Sequence, residues 1–498
     1  MGALARGTRA LLLLLAALGG CTRAAPDSIR FGLPTAPVTL DPRYATDAVS
    51  ARLVRLLHRG LVDFDAAARP QADLASWQQL SPTDYRFTLV TDTRFSDGRA
   101  LTAADVVATY AAVRDPAHGS PLRARLDNVS VVRAVNATTI DFVLQRPDPL
   151  FPGVLTLGIL AAADAARPRD AWQVSNGAFM RVAARADGSV RLCRRRDSAC
   201  VDFVVVKDAN VRALKLLSGE LDLMQGNIPP EVYDWLATRP GLRAQQTAGT
   251  TFSYLGFNLT ATALANRAVR AAIAHAIDRV AITAYVFRGQ ARPAATLLPP
   301  THWAAAPDLA VPAYDRERAR TLLHAAGYDD EHRLQLHYKT SADSFRLRLA
   351  TILQAQLAAV GIDLQIESLD WATLYADIAA GRVEVYGLSW VGLQLPDIFR
   401  QAFHSSALPP HGLNRARYQV VEVDRLIEAA EHSTDSARRR QLYHAIERRL
   451  LYDFPYVPLW FEDQTVVMRD VIEGYHTDAD GNFDALADTR RVSAHGAD

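Results

Sequence analysis

Lysine is almost missing from this chain of 498 residues; it stands only at Lys207, Lys215 and Lys339. Arginine carries the positive charge, and the formal net charge is only +1. Nucleic-acid-binding proteins show a basic face or stripe, so no nucleic-acid partner is expected. Catalytic signatures are missing as well. Neither H-E-x-x-H nor G-x-x-x-x-G-K-[ST] occurs. The segment Gly387-Leu-Ser-Trp-Val-Gly392 has one residue too many for a G-x-S-x-G elbow. No serine stands three residues before any lysine, which removes an S-x-x-K nucleophile. No catalytic residue and no cofactor are therefore expected. Cysteine occurs three times, and no further ligands stand near Cys193 and Cys200 at zinc-binding spacing, so no metal site is expected. After Leu18 no segment is apolar enough to cross a membrane.

What is present is an ordinary globular balance, 49% hydrophobic and 22% charged. The length implies several domains and ample core. At the N-terminus, Arg6 and Arg9 precede an apolar run from Leu11 to Leu18, too short to span a bilayer as a mature helix. It ends in Leu18-Gly19-Gly20-Cys21, which resembles a lipobox. Residues 1–20 then form a lipoprotein signal peptide, Cys21 is the lipidation site, and the mature chain is periplasmic and anchored to an envelope membrane. An ordinary signal peptide that contains a cysteine is the plainer alternative. An exported protein can keep a disulfide. Val190 to Cys193 and Val201 to Val206 read as strands about a hairpin tip, so a Cys193–Cys200 bridge is expected; two unpaired thiols are the alternative.

Along the chain, Ile29 to Leu33 reads as a strand, and the prolines of residues 34–42 impose an extended path. Leu53 to Leu61 predicts a short helix closed by Gly60. Asp84 to Val90 alternates as a strand, and Ser96, Asp97 and Gly98 form a turn. Thr102 with Asp105 predicts a capping box opening a helix over 103–113. Val269, Ile273, Ile277 and Val280 recur at helical spacing, which places Arg270, Asp278 and Arg279 on a solvated or salt-bridged face. Residues 333–389 read as strand, helix, strand, helix, strand, with Gly361 and Gly381 stopping the helices. That succession implies right-handed crossovers and a parallel sheet. Another helix is expected over 438–451. Residues after about Arg491 read as disordered.

The stretch Tyr386 to Asp397 leaves the carboxyl end of the third strand of that unit, where open parallel sheets bind ligands. It holds no charge before Asp397, and Gly387 and Gly392 would let a ligand or another backbone come close. Arg415 and Arg417 stand beside the expected rim, and an arginine suits a carboxylate clamp; a solvated or packing role is equally open. His404 and His411 lie in a proline-rich loop without acid or thiol partners and read as surface histidines.

Several ordered motifs carry a more specific resemblance. Leu61-Val-Asp-Phe, Asp73-Leu-Ala-Ser-Trp77, Tyr85-Arg-Phe-Thr-Leu and Phe95-Ser-Asp-Gly-Arg-Ala-Leu-Thr-Ala-Ala-Asp-Val106 resemble family 5 extracellular solute-binding proteins. So do Leu216 to Leu223, Asn266 to Arg279, Ala319 to Tyr328 and Pro455-Tyr-Val-Pro-Leu459. These are the dipeptide-, oligopeptide- and nickel-binding components of ABC importers. The resemblance implies an α/β periplasmic binding protein-like class II fold, with two main lobes, a hinge and an inserted third domain. Lobe I would comprise 28–42, 175–258 and 456–490, the inserted domain 43–174, and lobe III 259–455. Hinges would lie near Phe257 and Pro455. Expected partners are a peptide or peptide-like solute and an ABC permease–ATPase complex, with the binding protein monomeric. Tyr254, Trp390, Gly392, Leu393, Gln394, Asp397 and Arg415 are the expected substrate-binding residues. Trp371, Tyr375 and Trp460 are expected in core or hinge packing. Peptide-binding relatives place an aspartate, which holds the peptide's α-ammonium, where this chain has Leu393. Asp397 resembles a later aspartate of the family, with Ile398 in place of the usual proline. A buried ammonium without a countercharge is costly, so a ligand without a free amino terminus, one anchored by another acid such as Asp397, or an apolar or differently charged compound is expected. The alternative function is an envelope lipoprotein of the same fold acting as a sensor or chaperone-like binder.

Overall fold

The computed structural model describes residues 28–410 and 412–492. The signal segment, Cys21, His411 and the C-terminal end after residue 492 lie outside the described residues.

The chain is built about one mixed sheet of eleven strands. Its spatial order runs Ile362–Leu369, Leu334–Ser341, Val385–Trp390, Leu242–Phe257, Tyr456–Arg469, Leu223–Gln225, Ser28–Leu33, Cys200–Val205, Val190–Arg194, Phe179–Ala184. The short strand Ala291–Pro293 adds to Tyr456–Arg469 from the side. Leu334–Ser341 pairs in parallel with both Ile362–Leu369 and Val385–Trp390, as the strand–helix alternation over 333–389 implies. The intervening helices Ser344–Ala358 and Trp371–Ala380 start at side-chain caps from Asp343 and Asp370. Gly361 and Gly381 follow them at φ of +100° and +76°, which a glycine adopts without steric cost. A separate four-stranded sheet, from Ala75 to Leu144, carries the helix Ala103–Arg114 with the Thr102–Asp105 capping box in place.

Two long antiparallel strands, Leu242–Phe257 and Tyr456–Arg469, belong to two cores at once. Val466 and Met468 pack with Phe31, Phe203 and Phe483; Leu255, Phe257, Val457 and Leu459 pack with Ile273 and Leu353. The pairing register shifts between Thr247 and Thr251. Phe257 and Pro455, where hinges are expected, lie at the ends of this strand pair. Gly249 lies within that shift, and a Cβ there would meet the Glu462 carbonyl oxygen at 2.1 Å. A disulfide joins Cys193 and Cys200 at facing positions of their hairpin.

Some local expectations fail. The helix expected over 53–61 runs Ala48–Leu57, because Asp47 caps it at the Ser50 N–H. Gly60 serves close packing instead, since a Cβ there would meet the Thr156 carbonyl oxygen at 2.7 Å. Arg270 and Arg279 are buried rather than solvated. Arg270 donates to the carbonyls of Asp453, Phe454 and Leu264; Arg279 donates to those of Pro458 and Ala274. Buried donors are satisfied this way where chain ends leave carbonyls unpaired. The helix stops at Ala276, so Val280 leaves the apolar face and is exposed. Trp460 is buried in the core at 1% exposure, whereas Trp371 and Tyr375 stand out at 60% and 40%.

Candidate ligand-binding site

The strand Val385–Trp390 pairs antiparallel with Leu242–Phe257, placing Tyr254 opposite Leu388 and Phe252 opposite Trp390. Strand alternation then puts Tyr386, Leu388, Trp390, Phe252 and Tyr254 on one face. Tyr254 stacks on Tyr456 with ring centroids 4.1 Å apart and lies parallel to Trp390 at 6.5 Å. The hydroxyls of Tyr254, Tyr386 and Tyr456 and the Trp390 indole N–H are buried without a hydrogen-bond partner among the described residues. Burial pushes the Tyr254 and Tyr386 phenols well above their ordinary range, so both stay neutral. Arg415 lies over Trp390 at 5.2 Å and over Tyr375 at 4.9 Å, and its Nη2 donates to Tyr375 Oη at 2.8 Å. Tyr254, Trp390 and Arg415 are thus brought together.

The rest of the loop diverges from that group. Gly392 has φ +68° and is exposed, with no atom within 4 Å of a would-be Cβ. Gly387 has another task from the one expected: a Cβ there would meet Tyr338 Oη at 2.4 Å, so it admits a neighbouring side chain. Leu393 packs half-buried on the apolar core. Leu395 seats against Gly153, whose added Cβ would fall 2.6 Å from Leu395 Cδ2. Asp397 stands at the start of the helix Ile398–Phe403 and accepts from Gln401 Nε2 at 2.7 Å. Burial, with Asp148 adding to it, pushes Asp397 up to about 6.

Gln394 reaches a cavity of about 410 Å³. Its other walls come from Arg55, Arg59, Asp63, Asp73, Arg125 and Asp484. Arg55 makes a two-pronged bond to Asp63, at 2.8 and 2.5 Å, and a third to Asp484 at 2.6 Å. Burial opposes ionisation of Asp63, but the Arg55 bonds outweigh it and hold the carboxyl below its usual range. Arg59 pairs with Asp73. His302 Nε2 lies 3.1 Å from the Gln394 carbonyl oxygen and holds the loop at the rim. His404 is buried rather than on the surface, with Nδ1 2.7 Å from Ser406 Oγ, because the loop folds back under the helix Val421–His432. The ion pairs of the cavity were not legible as a site: Arg55 and Arg59 flank the end of a short helix, and Asp63 and Asp73 fall in segments that read as scaffold. The one local signal was the four-residue spacing of the two arginines.

The sheet shared by two cores, the doubled crossing strands and a polar cavity between distant chain segments define a periplasmic binding protein fold. The solved structure of the substrate-binding protein CtaP from Listeria monocytogenes superposes with a TM-score of 0.84 at 22% identity, over 94% of this chain and 99% of that one. Residues 69–407 match the bacterial extracellular solute-binding proteins, family 5, and the chain belongs to that family. The glutathione-binding protein GsiB of Escherichia coli K12 is 25% identical over 96% of this chain and 97% of its own length. A probable di/tripeptide-binding protein of Pseudomonas aeruginosa is 26% identical over 94% of both chains. The family is one of solute-binding proteins and not of enzymes. Among the described residues, no helix is long and apolar enough to cross a membrane.

Proposed function

We propose that this protein captures a peptide or peptide-like small solute and delivers it to an ABC permease and its ATPase. The observation that carries this reading is the cavity of about 410 Å³ walled by Gln394 together with residues from far earlier and later in the chain. Its volume falls in the range of about 300–1,000 Å³ typical of small-ligand sites. In this reading 28–42, 175–258 and 456–490 form one lobe, 43–174 an inserted domain and 259–455 the opposing lobe. Tyr254, Trp390, Gly392, Leu393, Gln394, Asp397 and Arg415 face or frame the ligand, and Cys21 tethers the protein to the envelope membrane. Closure about the ligand is a population shift driven by contacts made only in the closed state. The apolar seat of Leu393 favours a solute that brings no free ammonium to that position.

A thermal-shift panel of glutathione, di- and tripeptides, opines, sugars and metal chelates tests the proposal. At one hundred times its dissociation constant, a ligand of the folded state stabilises by about 2.7 kcal/mol, a rise of several degrees. One solute class is expected to raise the melting temperature with its concentration. A flat response to the whole panel overturns the proposal.

A further inference from the structure

Arg415 is buried to 7% exposure, and among the described residues the titratable groups that face it are phenols, Tyr254, Tyr375 and Tyr456, with no carboxylate. Its side chain donates to the neutral Tyr375 hydroxyl at 2.8 Å. A guanidinium carries five N–H donors, and burying one without an anion is costly unless something else completes it. Nearby, the Trp390 indole N–H is a pure donor, and the hydroxyls of Tyr254 and Tyr456, which can donate or accept, are also buried without a partner. An anion, made only of acceptors, would complete the guanidinium and the indole together. The neighbouring rings favour a planar group, because the guanidinium lies over Trp390 at 5.2 Å and over Tyr375 at 4.9 Å. The backbone under Arg415 is held rigidly. Asn414 is fully buried, donates to the His404 and Tyr418 carbonyls and accepts from the Tyr418 N–H. Trp371 and Tyr375, which pack on each other at 5.9 Å, are the exposed side of this cluster.

We propose that Arg415, roofed by Trp390 and Tyr375, is a subsite for a planar carboxylate of the captured solute. Tyr375 holds the place of that anion in the empty protein and swings outward when the anion arrives. Arg417 is a different case: its Nη2 reaches the Ala379 carbonyl at a helix C-terminus, where a cation is stabilised without an anion. The proposal rests on the solute-binding reading and names one chemical group of the ligand.

Benzoate and benzamide, which share a ring and differ in charge, test it on the full mature chain. The readout is the Trp390 indole N–H signal in a nitrogen–proton spectrum, identified by its loss in Trp390→Phe. Benzoate is expected to move that signal saturably, and benzamide to bind about tenfold more weakly or worse, as loss of a charge-assisted pair implies. Arg415→Gln should weaken benzoate by about 10- to 100-fold. If Arg415→Gln fails to fold, Tyr375→Phe decides, since it removes the competing acceptor from a half-exposed position and should tighten benzoate. The proposal is overturned by equal responses to benzoate and benzamide, by an unmoved Trp390 signal, by a wild-type response in Arg415→Gln, or by weaker benzoate binding in Tyr375→Phe. A stabilising solute that leaves Trp390 unmoved sinks the subsite and spares solute binding. A benzoate-specific response with a flat solute panel does the reverse.

Discussion

Both ring nitrogens of His58 are buried without a hydrogen-bond partner, and the ring meets Trp172 edge-on at 4.6 Å. Burial pushes the imidazole down from its ordinary 6.5 to about 3. The unfolded chain takes up the proton first as pH falls, so His58 contributes stability above about 6.5 that drains away toward pH 3. Phenylalanine keeps the ring contact and removes the titration. Between pH 7 and 5.5 the wild type should lose about 1 kcal/mol more than His58→Phe, measured by urea denaturation at both pH values. Parallel losses in the two proteins would refute this. Nothing in the local sequence marks His58 as a buried neutral ring. Trp371 and Tyr375 show the same limit from the other side. Large aromatics usually bury, but these two occupy the outer face of a helix whose inner face Leu374 and Ile378 already fill. Arg270 and Arg279 read as a solvated face because the carbonyls that hold them stand at helix ends and in the strand Tyr456–Arg469, in several cases nearly two hundred positions away.

Elements were more legible than single side chains, where their signals are local. The parallel unit of residues 333–389 could be read because Asp343 and Asp370 open its helices, Gly361 and Gly381 close them, and its strands alternate. The register shift within the two crossing strands was not legible, since it is decided by pairing between distant segments. Gly249 marks that shift. An added Cβ would press on the Glu462 carbonyl oxygen at 2.1 Å and the Asp463 Cα at 3.1 Å, both backbone atoms that cannot swing aside. Gly249→Ala should therefore cost about 1–3 kcal/mol, the range of overpacking with backbone displacement. Equilibrium denaturation measures it, and a loss below about 0.5 kcal/mol, ordinary for surface substitutions, would show that the crossing yields freely.

At the scale of the whole molecule, the site could not be read from the sequence, since its cavity joins residue 55 to residues 394 and 484 and exists only when those segments are packed together. Asp397 reports on that packing. Besides Gln401 on its own helix, the side chains that bear on it are Arg125 and Asp148, from the segment that carries the four-stranded sheet, and Tyr443. Asp148 is itself raised, by burial first and by Glu431 next, against Arg146 and Arg439. Two carboxyls are thus held together across one seam, beside the contact of Leu395 with Gly153. The raised Asp397, at about 6 against an ordinary 3.8, favours the packed seam when protonated. That contribution is present at low pH and lost as pH rises through about 6. Opening the seam returns Asp397 to water and its ordinary acidity, so alkaline pH should shift the population toward an opened seam. The radius of gyration of the unliganded protein, from solution scattering, is expected to increase between pH 5 and pH 8. Asp397→Asn removes that titration and should leave a clearly smaller increase, the remainder coming from Asp148. A radius that ignores pH, or one that rises as much in Asp397→Asn as in the wild type, would mean that Asp397 does not hold the seam.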